Sequence, residues 1–267
     1  MPSSAPSPAN TFKASGFCSR CNREHSLFQG TSRESSLALI RQLNEQQSIH
    51  FSNDSDKNKE FSSTLPLLGE ARGKMFGVLD CLTTTNTPIS LYAFSGQFNK
   101  TWFTEGWMPP LFDLGAFHKT NDHTEKKIKT ITSELEKTQA HSEQWLKLRK
   151  TRRTLSQTLM KEIHALYRLT NFRGETKPLV EVYQGKSNIP TGTGDCCAPK
   201  LLNYAAMNNL RPTGISEFFY GRETKSGSHH HCNFSSSCQE KCGPILGFML
   251  CGLDSLDDPN GLDSTSP

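Results

Sequence analysis

The chain has 267 residues, nine cysteines and a formal net charge of +4, a length that buries a substantial core without covalent staples. Only three valines stand against 53 serines and threonines, which argues against a parallel-sheet α/β protein, whose buried strands are rich in Val and Ile. No apolar run approaches the roughly 20 residues of a membrane span. The odd cysteine count, with no basic-then-apolar leader after Met1, predicts reduced thiols in a cytoplasmic protein and not a disulfide framework.

Residues 1–15 carry three prolines and four serines with almost no large apolar group, so they read as a tail that cannot offset its own ordering entropy. Residues 254–267, acidic among Ser, Pro and Gly, read as a second tail. Between them, 16–72 forms a cysteine knuckle followed by a helical segment. Leu37, Ile40 and Leu43 recur at three-residue steps within Ser35–Gln46 and predict a short amphipathic helix. The polar stretch 51–63 reads as a loop.

Residues 73–253 read as an α+β core: a small antiparallel sheet with flanking helices and a long helical hairpin inserted in it. Lys74–Leu82 and Ile89–Phe94 are apolar runs separated by turn composition and predict an antiparallel pair. Trp102 and Trp107 precede Pro109-Pro110 and either cap a core edge or offer a stacking platform. From 122 to 169 there is no Gly and no Pro. Apolar residues recur there at spacings of three and four, which predicts two antiparallel helices with a break near 140–142. Lys147, Arg149, Lys150, Arg152 and Arg153 fall within this hairpin, with no acidic residue between Glu143 and Glu162. Such a run is either a solvated face or a set of phosphate contacts to RNA.

Six of the nine cysteines fall in three stretches, and Cys232 lies just upstream of the last. Cys18 and Cys21 form a C-x2-C pair with His25 four residues on; two thiolates so spaced can turn around one zinc ion, which takes sulfur and imidazole ligands, but the knuckle supplies only half a site and reads otherwise as a redox pair or a chance spacing. Cys196 and Cys197 open a helix, where the macrodipole favours a thiolate; one of them is equally well a small buried packing residue. Cys238 and Cys242 share a face if their segment is helical. Cys196 or Cys197 with Cys238 and Cys242 then makes a second candidate zinc site, with Cys196 taken as the ligand. Cys81, in a strand, and Cys251, at the end of an apolar helix, read as core residues.

With Ile215–Tyr220 as a strand, the order is Cys-bearing helix, strand, Cys-bearing helix. This layout is similar to that of zinc nucleobase deaminases, whose signature is H-x-E followed by P-C-x-x-C. The chain departs from it twice: neither Cys196 nor Cys197 has a Glu two residues on, and the second pair is C-x3-C. Asp195 and Glu217 are the nearby carboxylates that could substitute as proton shuttle. A further arrangement makes Cys196 a nucleophile with His231 as its base.

The stretches Gly73–Leu79, Ala93–Gly96, Pro109–Asp113, Gly194-Asp195-Cys196, Ala198–Leu202, Glu217-Phe218, Cys238–Cys242 and Pro244–Leu246 resemble an accessory region found ahead of the catalytic domain in some long RluA-type RNA pseudouridine synthases. The resemblance covers about 73–253 and implies association with RNA modification and with a synthase as partner. It does not extend to catalysis, because the Arg-Leu-Asp context of that family's catalytic aspartate is missing from this sequence. The leading expectation is a zinc-binding, RNA-contacting accessory protein; the rival is a deaminase-like zinc hydrolase acting on a nucleobase. Sequence alone leaves open whether the chain is an enzyme.

Overall fold

Alternate residues of one strand, Lys74–Leu82, belong to two different cores, and this period-two division organises the molecule. The computed structural model describes residues 12–51, 62–69, 71–224 and 227–256. Strands β1 (Lys13–Cys18) and β2 (Arg23–Phe28) come first, then helix α1 (Ser32–Gln46) and the single turn α2 (Leu65–Leu68). Strands β3 (Lys74–Leu82) and β4 (Pro88–Phe94) follow, then helices α3 (Leu114–Lys137) and α4 (Glu143–His164). The short strands β5 (Arg168–Thr170) and β6 (Thr176–Pro178) lead to the turn α5 (Leu179–Val182) and helix α6 (Cys197–Met207). Strand β7 (Arg211–Tyr220), strand β8 (Phe234–Ser235), helix α7 (Gly243–Met249) and a 3-10 turn at Leu253–Leu256 complete the order.

The main sheet has the order β4-β3-β7-β8, and every neighbouring pair is antiparallel. Phe76 and Val78 of β3 point with Phe218 and Tyr220 of β7 towards Leu39, Ile40 and Leu43 of α1. Leu79 and Cys81 point the other way, with Ile215, towards Leu201, Leu202 and Ala205 of α6. The architecture is α+β with small antiparallel sheets, as the order of predicted elements implies. Cys81 is a core residue, 1% exposed. Trp107 is equally buried and its Nε1 donates to the Ile49 carbonyl at 2.8 Å, while Trp102 packs on Phe112 and Phe117; both belong to the core. No helix among the described residues is long and apolar enough to cross a membrane.

Helices α3 and α4 form the inserted hairpin. Its turn lies at 138–142, where the apolar spacing predicts a break, and Ser142 caps α4 by accepting the Trp145 N–H at 3.2 Å. Helix α3 starts earlier than the Gly- and Pro-free window because the Asp113 side chain caps it, accepting the Ala116 N–H at 2.8 Å. Only Phe117 of α3 and Leu159, Ile163 and His164 of α4 are buried. The remaining residues are half-buried or exposed and form an arm; α3 as a whole is about 36 Å long for 24 residues at 1.5 Å each.

Two boundaries differ from expectation. Residues 13–15, read as tail, are the start of β1, held by pairing to β2 through Lys13↔Phe28 and Ser15↔Ser26. Asp254, read as the start of the second tail, lies in the 3-10 turn and pairs with Arg23. Residues 1–11 and 257–267 of the two tails, and 52–61 of the expected loop, lie outside the described residues.

Strand β1 lies directly against α7. A Cβ on Gly16 would stand 2.4 Å from the Gly247 nitrogen, and one on Gly247 would stand 1.9 Å from the Phe17 carbonyl oxygen. The two backbones approach to a distance that admits nothing larger than hydrogen. Gly247→Ala is expected to force them apart and to cost about 3 kcal/mol, the upper range for an overpacked core; a urea titration of parent and variant checks it.

Candidate metal centre

The β1–β2 hairpin presents three of the four side chains of this centre. Cys18 is the last residue of β1 and 2% exposed. The chain then turns through 19–22, with Asn22 in the left-handed region at φ 50°, and carries half-buried Cys21 back over the hairpin. His25 faces inward from β2 and is 5% exposed. The fourth side chain comes from the other end of the chain. The Gly16–Gly247 approach sets the end of α7 beside Cys18, and Gly252, at φ +94°, turns the chain where a Cβ would collide with the backbone of 172 and 173. Cys251, just before it, is thereby aimed at the hairpin.

The ligand atoms of Cys18, Cys21, His25 and Cys251 all lie within 4.8 Å of one another, and Cys21 Sγ stands 3.6 Å from Cys251 Sγ. His25 is oriented for the task. Its Nδ1 faces the Asp254 carboxylate at 3.5 Å, while its Nε2 is buried with no hydrogen-bond partner. A ligating histidine has this arrangement, one ring nitrogen held by a carboxylate and the other left for a metal. The residues therefore fit a metal ion. Three thiolates and an imidazole fill a tetrahedron and leave no open position, as in structural centres.

The electrostatics agree with that role. Burial holds the His25 imidazole below its ordinary pKa, against the pull of Asp254, and a neutral ring is the form that ligates. Burial also opposes ionisation of Cys18, but N–H groups of Cys21 and Arg20 and its thiol neighbours bring it below the ordinary thiol value. Burial pushes Cys251 up to about 12, with the Arg173 guanidinium acting against that by hydrogen bonding to its sulfur. Arg173 reaches Cys21 as well, so a cation stands beside two of the sulfurs.

The other cysteines behave differently. Cys196 is the N-cap residue of α6 and Cys242 that of α7. The neighbouring Cys196 thiol, with burial, holds Cys242 well above its ordinary value. Cys197 is fully buried as a packing residue and donates to the Met75 carbonyl at 3.4 Å. Residues 238–242 are not helical: they form a turn in which the Cys238 carbonyl accepts from the N–H groups of Cys242 and Gly243. That turn leaves Cys238 exposed while Cys242 is buried. Cys196, Cys238 and Cys242 accordingly form no ligand group; among the described residues, such a group occurs at Cys18, Cys21, His25 and Cys251.

The three residues considered for catalysis are each engaged elsewhere. Asp195 accepts the Tyr167 hydroxyl at 2.6 Å. Glu217, 5% exposed, accepts the Ala198 N–H at 3.0 Å at the start of α6. His231 is exposed; its Nδ1 accepts the Gly221 N–H at 3.0 Å and its ring lies against Tyr220, neither of which brings it to Cys196. Sequence pattern gives no sign of the role of Lys200. It is 1% exposed, donates to the Phe94 and Gly96 carbonyls at 2.9 Å each, and is pushed down to about 8 by burial.

Lys147, Arg149, Lys150, Arg152 and Arg153 are all exposed on α4. Among the described residues, none of the five is paired with a carboxylate. No protein-family model matches the chain, and comparison with curated proteins and with solved structures returns no match.

Cys251→Ser is expected to abolish metal retention as completely as Cys18→Ser, while Cys238→Ser leaves it intact; elemental analysis of the purified variants is the measurement. A second expectation concerns acid. Burial holds Glu217 above the ordinary carboxylate range, so the folded state binds this proton more tightly than the unfolded state. The stability so gained is complete below the unfolded value of about 4 and is lost as pH rises through the folded value. Glu217→Gln, which never ionises, is expected to be the more stable protein at neutral pH. Its advantage should shrink on acidification, read as Tm against pH for both proteins.

Proposed function

We propose that this chain is a zinc-binding accessory protein of RNA modification, a companion to a pseudouridine synthase, that contacts RNA through the α3–α4 arm. The observation that carries the reading is the convergence of Cys18, Cys21, His25 and Cys251. A donor set of three sulfurs and one imidazole favours zinc over the oxygen-preferring divalent ions. With all four positions taken by protein, zinc would supply cross-linking, tying the N-terminal hairpin to the end of α7. Asp254 would hold the His25 ring in place, and Arg173 would offset part of the thiolate charge.

The RNA part of the reading is supported by five exposed cations within seven residues of α4, none offset by a carboxylate partner among the described residues. Cations of this kind position a protein on a phosphate backbone without reading sequence. The association with pseudouridine synthesis is supported by the resemblance across 73–253. The deaminase-like alternative draws less support, because Cys196, Cys238 and Cys242 do not gather and Glu217 is committed to the amides of α6.

The test is RNA affinity at rising salt. The parent should bind at low salt with an affinity that falls steeply. Replacing Lys147, Arg149, Arg152 and Arg153 together by Ala should weaken binding and flatten the log–log salt slope by roughly 0.7 for each phosphate that the variant no longer neutralises. A parent that binds no RNA at low salt overturns the proposal.

A further inference from the structure

The tip of the arm carries an aromatic feature that a basic run alone does not require. His141 adopts a left-handed backbone at φ 64°, which folds its ring back to 5.2 Å from that of Trp145. The Trp145 backbone is held by its N–H donating to the Ser142 cap. One turn along α4, the Arg149 guanidinium lies over the same indole, 5.1 Å from its centre. His141, Trp145 and Arg149 thus form a cluster at the distal end of the hairpin, with the two rings tilted by 42° and so not stacked face to face.

Arg149 also borders a groove of about 750 Å³ that runs from the arm to Thr191. Its cationic rim includes Lys150, Arg152 and Arg153, its apolar floor is Ile128, Leu146 and Met160, and no acidic side chain lines it. Leu146 is 52% exposed, a large aliphatic group left open among cations. A duplex would use the rim but neither the floor nor the indole, since its base faces are already stacked on one another. A single strand uses all three: phosphates on the rim, and unstacked bases against the floor and the ring.

We infer that the arm is a binding site for single-stranded RNA, with Trp145 as a base-stacking platform and Arg149 joining that platform to the groove. The inference rests on the RNA-contacting reading above and adds to it the strandedness of the ligand.

The experiment uses the full chain and two fluorescent probes: a short unstructured RNA, and the same strand annealed to its complement. The parent should prefer the single strand. Trp145→Ala should weaken single-strand binding by about 5- to 150-fold, the usual effect of removing one stacking partner, and leave duplex binding unchanged. Trp145→Phe should restore most of the affinity, and Leu146→Ser should weaken the single strand alone, with circular dichroism confirming that the helices persist. A parent that prefers duplex overturns the stacking assignment while leaving phosphate binding standing. So do folded Trp145→Ala and Leu146→Ser variants that bind as the parent does, or that weaken on both probes equally. A parent that binds neither probe at low salt removes the RNA reading together with this inference.

Discussion

The backbone contact between Gly16 and Gly247 is the constraint on which the remaining arrangement depends. Strand β1 has few large side chains with which to grip α7; it lies against the helix main chain to main chain, at a separation that excludes any side chain at either position. So close a crossing fixes the strand's position along the helix within narrow limits. Cys18, two residues beyond Gly16, and Cys251, four beyond Gly247, are then neighbours. Asp254 falls into place beside His25 and Arg23 as a consequence.

The parts of the fold that sequence reveals are those with strong periodicity or clear punctuation. Lys74–Leu82 is apolar along its length and emerges as β3 with the same bounds. The hairpin arm is visible because Gly and Pro are missing over a long window, and its break falls where apolar spacing lapses. Strands β1 and β2 are not visible in this way. The inward positions of β1 are Ala14, Gly16 and Cys18, small residues whose value lies in permitting close approach, and hydrophobic periodicity gives such residues little weight. Cys251 shows the same limit from another side. Its burial is evident from the apolar helix before it, but its partners stand 230 positions away for Cys21, and nothing local to residue 251 records them.

The contrast between the two cysteine groups separates reach from direction. A spacing of two or four residues says that two sulfurs can reach one point; it does not say that they point there. At Cys18 and Cys21 a β-turn directs both inward. At Cys238 and Cys242 a turn stands in place of the expected helix, and the sulfurs diverge into solvent and core. The buried polar groups near Cys242 are satisfied by the protein itself: Asp195 by Tyr167, Glu217 by the amides of α6, Lys200 by two carbonyls. These are the partners that a buried ionisable group needs if it is not to destabilise the fold, and their presence makes this region cohesive.

With a metal bound, the position of the fourth cysteine would divide the life of the chain into two chemical stages. Cys18, Cys21 and His25 all belong to one hairpin and lie within eight residues of one another in the chain. Cys251 cannot join them until almost all the described chain has been synthesised and α7 has docked, since loop closure over such a span precedes any contact that rewards it. Until then, an ion captured by the hairpin would keep one coordination position open to water, thiols or chelators, the configuration found in reactive zinc and not in structural zinc. Any chain cut short of residue 251 would remain in that state. Retention of the ion would therefore report that synthesis and docking had been completed, and its ready exchange would mark a chain still unfinished.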